Sequence, residues 1–223
     1  MEKKMLSPNE FIAEVLKTES NDFKMISERV SSVRNIRLLH ATMGLSTEIT
    51  ELFEALAKKK LDRVNLIEEV GDQLWYIGII IDELRLDRTE LFESAQHTFL
   101  TKESNKSRLT KMIQNLVLKQ RLVTQIATMS IQAGTMLDIM KKTIFYDQKK
   151  FDQVKLEKNL SDLIITLLEF LYLIDGPSIN NVFTIIIEKL RVKRYKSGKF
   201  SSEEAINRNL EEERKTLNKF ESK

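Results

Sequence analysis

Only six glycines and two prolines punctuate the 223 residues of this chain. Glycine supplies the positive-φ positions of tight turns and proline pre-sets their first corner, so a fold of many short strands needs far more of both. A sandwich or barrel, which turns every ~8–12 residues, is thereby excluded. Helices turn at long intervals, and the chain reads as all-α. Its length is about one and a half typical domains, which allows one domain or two similar halves. With 42% hydrophobic and 31% charged residues it has material for a core, and its mean hydropathy is −0.28. A disordered or collagen-like chain does not have that balance.

The same composition removes whole classes of chemistry. Cysteine is absent, which excludes disulfides, thiolate zinc sites and cysteine nucleophiles. His40 and His97 are the only histidines, too few for a histidine-rich metal centre. A net charge of +3 is small for a dedicated nucleic-acid binder. The longest greasy run, residues 163–174, is interrupted by Thr166 and Glu169 and falls well short of the ~20 apolar residues that span a bilayer. The start MEKKMLSPNE has no apolar segment of signal-peptide type. Neither a membrane nor a nucleic-acid partner is expected, and the expected location is cytoplasmic.

Helices are expected near residues 8–30, 33–58, 62–84, 87–100, 108–143, 152–174, 178–195 and 202–220. Ser7-Pro8-Asn9-Glu10 is a capping-box start, Asp62 and Asp87 are N-caps, and Gly176-Pro177-Ser178 ends one helix and caps the next. The polar stretch Thr101–Ser107 marks the midpoint. The two sides of it look alike. Glu48–Lys59 corresponds to Gln132–Lys142, each a helix with small residues and a Lys-Lys end. Residues 66–72 correspond to 156–162, and a six-residue insertion around Phe145–Phe151 accounts for the shift between the two alignments. This is an internal duplication of a four-helix unit.

Two acidic pairs carry the chemistry. Glu48 and Glu51 share one face of helix 33–58, and Glu69 and Asp72 share one face of helix 62–84. The short connection at Lys58–Leu61 folds these helices antiparallel, which brings the four carboxylates into one seam. Leu45, Leu52 and Leu56 flank the first pair, and Leu66, Val70, Leu74, Ile77 and Ile81 the second. Carboxylates crowded in a partly dry seam repel one another and raise their own pKa values. A hard divalent cation such as Mg²⁺, bound through oxygen, removes that cost. Met5, Met25, Met43, Met112, Met129, Met136 and Met140 recur at helical spacing and read as core filling. Trp75 is either a core residue or a base-stacking one.

The run Leu39-His40-Ala41-Thr42-Met43-Gly44-Leu45-Ser46-Thr47-Glu48-Ile49-Thr50-Glu51-Leu52, followed by Glu68-Glu69-Val70-Gly71-Asp72-Gln73-Leu74-Trp75-Tyr76, resembles the MazG-like all-α nucleotide pyrophosphohydrolases. That family carries ExxE and then ExxD on the next helix. The resemblance implies a Mg²⁺-dependent hydrolase, with Mn²⁺ as an alternative ion, that cleaves a (d)NTP to (d)NMP and pyrophosphate. It places Glu48, Glu51, Glu69 and Asp72 on the metal ligands and Tyr76 on a substrate contact. His40, two turns before Glu48, either faces the same cleft or is hydrogen-bonded within the bundle.

The second half departs from that pattern, with Gln132, Thr135 and Asn159 where acids are expected and only Asp162 kept. It does keep the family's distal segment. Residues 188–195 (EKLRVKRY), then 198–201 (GKFS) and 205–208 (AINR), resemble the ending KLxxRYPxGxFS…A.NR, with the proline replaced. Lys189, Lys193, Arg194 and Tyr195 are therefore expected at the substrate, the cations on phosphate. The expected architecture is two tandem MazG-like repeats, residues 1–103 with intact acids and 104–223 with a degenerate site and a basic tail, packed as an internal pseudo-dimer around one shared site. The rival expectation is a non-catalytic nucleotide-sensing or protein-interaction module that kept the fold. A homo-oligomer of such chains stays open.

Overall fold

The computed structural model describes residues 6–58, 60–106, 117–146, 151–195, 198–207 and 209–218, with the side chains of residues 192–194 left aside. Every regular element among them is helical. Ten α-helices follow in order: α1 (Pro8–Lys17), α2 (Phe23–Val30), α3 (Val33–Ala57), α4 (Arg63–Leu84), α5 (Arg88–Ser104), α6 (Leu118–Phe145), α7 (Gln153–Leu173), α8 (Ile179–Glu188), α9 (Ser202–Ile206) and α10 (Leu210–Asn218). A π-helical turn, Lys189–Arg194, continues α8. No described helix is long and apolar enough to cross a membrane.

Local chemistry sets most of the ends. The Ser7 hydroxyl accepts from the Glu10 amide while the Glu10 carboxylate accepts from the Ser7 amide, the two halves of a capping box. Asp62, Asp87, Asp152 and Ser178 cap α4, α5, α7 and α8 through their side chains. The single helix expected over 8–30 is instead two. The Asp22 carboxylate caps Met25, and the Ser20 hydroxyl donates to the Phe145 carbonyl, tying the break to the end of α6. The helix expected over 202–220 also divides, at Asn207, and its last residues lie outside the described ones. The expected start near 108 lies outside the described residues too.

The long helices pair as their connections dictate. α3 packs on both α4 and α6, and α6 packs on α7. The flanking helices do not stay with the pair they follow: α5 lies on α7, and α8 lies on α4. One hydrophobic cluster runs through all of this, from Leu38, Leu45, Leu52, Val70 and Ile77 to Ile126, Met136, Leu160 and Phe170. Residues on either side of position 103 thus share a single core. Of the methionines expected there, Met129, Met136 and Met140 are buried, whereas Met25 and Met43 are exposed; Met5 and Met112 lie outside the described residues.

The α4–α8 contact depends on the absence of one side chain. A Cβ at Gly71 would stand 2.1 Å from Cγ1 of Ile186, a β-branched residue buried in the core. Gly71→Ala should therefore cost about 1–3 kcal/mol in denaturant unfolding, the usual cost of overpacking a well-filled core. Gly78, about two turns further along the same helix, meets nothing within 4 Å. Gly78→Ala should be neutral or stabilising by up to about 1 kcal/mol. Equal effects at both positions would show that helix propensity, not the α8 approach, governs Gly71.

Candidate metal and anion site

α3 and α4 bring three of the expected acids together. Carboxylate oxygens of Glu48, Glu51 and Glu69 all lie within 4.8 Å of one another, the only such group of three potential ligands among the described residues. Their positions follow from helical spacing: Glu48 and Glu51 stand one turn apart on α3, and Glu69 sits on the facing side of α4. All five flanking apolar residues expected on α4, and Leu45, Leu52 and Leu56 on α3, are buried. The seam is thus dry on its inner side. Glu69 is itself buried, and the Asn65 amide one turn earlier donates to its Oε1 at 3.0 Å.

Crowding and burial move these groups in the direction that electrostatics requires. Burial, then the charges of Asp72 and Glu51, raises the Glu48 carboxyl to about 7. Burial, then Glu51, Asp72, Glu68 and Glu48, raises Glu69 to about 9. Tyr76 is raised as well, by burial and then by Glu48, Asp72 and Glu51. The donors are hard oxygens, converge on one point and carry excess negative charge. Such a set fits a divalent cation of the Mg²⁺ or Mn²⁺ kind.

The fourth expected acid is held differently. Asp72 accepts from Lys189 Nζ at both oxygens, 2.7 and 2.8 Å, and Glu68 Oε1 accepts from the same atom at 3.2 Å. Lys189 is wholly buried, on the π-helical turn after α8. A buried ammonium costs several kcal/mol of desolvation, so it is tolerable only with carboxylates this close. The expected cation from the second half therefore meets the first half's acids. Lys193 and Arg194, expected beside it, have side chains outside the described set.

A cavity of about 760 Å³ opens over this cluster. His40 and Trp75 face it and are exposed; neither is a core residue. With Tyr76 they form an edge-to-face group, ring centroids 4.9–6.1 Å apart. Tyr76 fits because Gly44 opposite it has no Cβ, which would lie 2.2 Å from the ring. Tyr195 lines the wall as expected, against the ring of Phe200 at 5.6 Å. The far wall holds residues that sequence reasoning did not single out. Arg214 Nη2 donates to both oxygens of Asp62, at 2.6 and 2.7 Å, pinning α10 over the start of α4. No local pattern signals this pair, since the partners are 152 residues apart. Asn65 had a signal, its i−4 spacing from Glu69.

Around Gln132, Thr135, Asn159 and Asp162 the bonds are mostly local, and the buried Gln132 Oε1 has no hydrogen-bond partner among the described residues. The Gln132 amide donates to Thr166 Oγ1 at 3.1 Å, Thr135 and Asn159 donate to carbonyls of their own helices, and Asp162 accepts from Lys158.

Glu48 and Glu69 make stability depend on pH in a defined window. Both bind protons more tightly folded than unfolded, so their contribution is full near the usual value of 4.5 and is lost as pH rises to about 9. With chelator present, the melting temperature should fall steadily between pH 5 and pH 9, and Glu69→Gln should flatten that slope. Addition of Mn²⁺ at pH 7 should release about one proton per ion, read by calorimetry in buffers of different ionisation enthalpy.

Comparison of the chain with protein-family models, curated proteins and solved structures returns no match.

Proposed function

We propose that this chain is a divalent-cation-dependent nucleoside triphosphate pyrophosphohydrolase, cleaving a (d)NTP to (d)NMP and pyrophosphate. The observation that carries the reading is the convergence of Glu48, Glu51 and Glu69 in a large cavity lined by further acids and by the aromatic side chains of Trp75, Tyr76, Tyr195 and Phe200. The MazG-like pattern of the sequence names the same residues. Glu48 and Glu69, raised to about 7 and about 9 by burial and the neighbouring charges, are costly as a purely structural device, which weighs against the non-catalytic alternative.

A divalent ion on the three glutamates would supply charge neutralisation for the phosphates and acidify a water. The chain's own groups do the rest. A glutamate of the set orients the water that attacks the α-phosphate and accepts its proton, and the pyrophosphate leaves. His40, Trp75 and Tyr76 offer flat apolar faces to the nucleoside side of the cavity. Arg214 is the cation that lines this otherwise acidic chamber among the described residues, and Lys189 lies buried behind Asp72 and Glu68. The cavity exceeds what a single metabolite of nucleotide size fills, which leaves room for ordered water.

The reading includes a tandem repeat packed as an internal pseudo-dimer, and several pairs of features support it. α4 and α7 are N-capped by Asp62 and Asp152, and Arg85 and Asp175 follow their ends, ninety residues on in each case. Arg85 and Asp175 are the non-glycine residues with positive φ among those described, at 55° and 49°. Just beyond them, the Leu86 and Gly176 amides donate to Ile81 and Leu171, the same closing bond. Phe92 and Phe183, each five residues after the cap of its helix, meet edge to face at 5.1 Å. A residue meeting its own counterpart is the mark of a twofold axis. The exchange of α5 and α8 between the two pairs follows the same symmetry.

Pyrophosphate release from a panel of dNTPs and NTPs, with Mg²⁺ and with chelator, tests the reading. Hydrolysis should require the ion, and Glu69→Gln should lower kcat/KM by more than about a hundredfold with the helical circular dichroism unchanged. Undiminished turnover in Glu69→Gln would sink the assignment.

A further inference from the structure

One face of α4 carries its chemistry in a fixed order. Asp62 at the N-cap, then Asn65, Glu69, Asp72 and Tyr76, follow one another at steps of three and four residues, which keeps them on one side of the helix. From Asp62 to Glu69 is two turns, roughly 10 Å of rise, and from Glu69 to Tyr76 is two turns again. The cavity over the acids lies along this face, with Asn65, Glu69, Asp72 and Tyr76 in its wall. Its wall therefore changes character along the helix. At the Tyr76 end the rings of His40, Trp75 and Tyr76 meet edge to face. In the middle stand Glu48, Glu51 and Glu69. At the Asp62 end stands Arg214, part-exposed and brought there by α10.

Arg214 is held there with donors to spare. Its Nη2 donates to the Asp62 oxygens at 2.6 and 2.7 Å, and its Nη1 and Nε make no hydrogen bond among the described residues. A guanidinium fixed through one nitrogen has its remaining N–H groups already oriented, and that planar fork suits phosphate oxygens. Arg214 is also the one Lys or Arg lining the cavity among the described residues, in a wall rich in acids, Glu211 and Glu213 of α10 included. A triphosphate carries more negative charge than one divalent ion offsets. In a chamber of this composition the surplus finds a counter-charge at one place, the Asp62 end.

A nucleoside triphosphate has the same linear order as the wall: base, sugar, α-phosphate, then the β- and γ-phosphates. We propose that the substrate lies along α4, with its base at His40, Trp75 and Tyr76, its α-phosphate over Glu48, Glu51 and Glu69, and its β- and γ-phosphates at Arg214. The proposal rests on the pyrophosphohydrolase reading and adds to it a direction and a grip on the leaving group. Arg214 binds the pyrophosphate end of the substrate, and Asp62 is the residue that positions Arg214. Arg214 falls outside the residues that carry the MazG-like resemblance, and its partner stands 152 residues away.

The test is calorimetry on the full chain with saturating Mn²⁺, using α,β-methylene analogues of the dNTPs and the matching monophosphates as probes. Arg214→Gln should weaken the triphosphate analogue roughly ten- to a hundredfold, the loss of a charge-assisted contact, and the monophosphate by less than about twofold. Arg214→Lys, which keeps the charge and loses the fork, should show a smaller loss, again confined to the triphosphate. If Arg214→Gln does not fold, Arg214→Lys decides by the same comparison. Asp62→Asn breaks the same bridge while keeping a capping side chain, and it should weaken the triphosphate clearly less than Arg214→Gln does. A bridge that only holds α10 in place would give the Asp62 and Arg214 variants the same loss on both probes. Equal losses of that kind, or a folded Arg214 variant that binds the triphosphate as the wild type does, overturn the proposal and leave the pyrophosphohydrolase reading standing. A wild-type chain that binds no triphosphate analogue in the presence of Mn²⁺ overturns that reading, and the proposal with it.

Discussion

The salt bridge from Lys189 to Asp72 and Glu68 is the interaction on which the arrangement of this molecule turns. It buries a full positive charge, which is tolerable only because three carboxylate oxygens lie within 3.2 Å of Nζ. Removing either partner leaves an uncompensated buried charge, at a cost of about 3–5 kcal/mol. The bridge spans 117 residues of chain. It fixes where α8 meets α4, and with it the close approach of Ile186 to Gly71. A second long-range bridge, Arg214 to Asp62, holds α10 over the other end of α4. The acidic seam of the first half is therefore enclosed by the second half, at both ends.

That enclosure explains the electrostatics. The glutamates of the seam are one face of an ordinary helix pair, and on an open pair water would screen them. The walls contributed by Tyr195, Phe200 and α10 make the chamber over them, and the buried flank of α4 keeps Glu69 from solvent. Burial first, and then repulsion that water would have damped, raises Glu48 and Glu69 to about 7 and about 9. The strain is electrostatic rather than steric: the three glutamates stand on α3 and α4, and the non-glycine positive-φ residues Arg85 and Asp175 follow the ends of α4 and α7.

The two halves of the chain divide the work unequally. The first retains the acids and has an apolar, small-residue seam between α3 and α4. In the second, Gln132 donates to Thr166, and Thr135 and Asn159 donate to carbonyls of their own helices, α6 and α7. A seam filled in this way needs no counter-charge, and α5, which lies over it, brings Ala95 to a buried position where α8 brings Ile186. The lysine-bearing turn after α8 meets the acids of α4, on the other side of position 103.

Much of this was legible in the residues themselves. Scarce glycine and proline dictated helices, caps such as Asp62 and Ser178 announced their starts, and the i, i+3 spacing put Glu48 with Glu51 on one face. Those are local properties, governed by backbone hydrogen bonding and the 3.6-residue period. Local rules also erred where a neighbour intervened, as at Ser20, whose bond to Phe145 divides the first helix. The pairing of α8 with α4, the seat of Lys189 on Asp72 and the latch of Arg214 on Asp62 had no local signal. They are set by which surfaces remain uncovered once α3, α4, α6 and α7 have buried their apolar faces, and only the packed chain decides that. For the same reason sequence spacing grouped Asp72 with Glu69, one turn away, whereas the structure gives Asp72 to a lysine from the far half: the choice of counter-ion belongs to tertiary contacts, not to helical register.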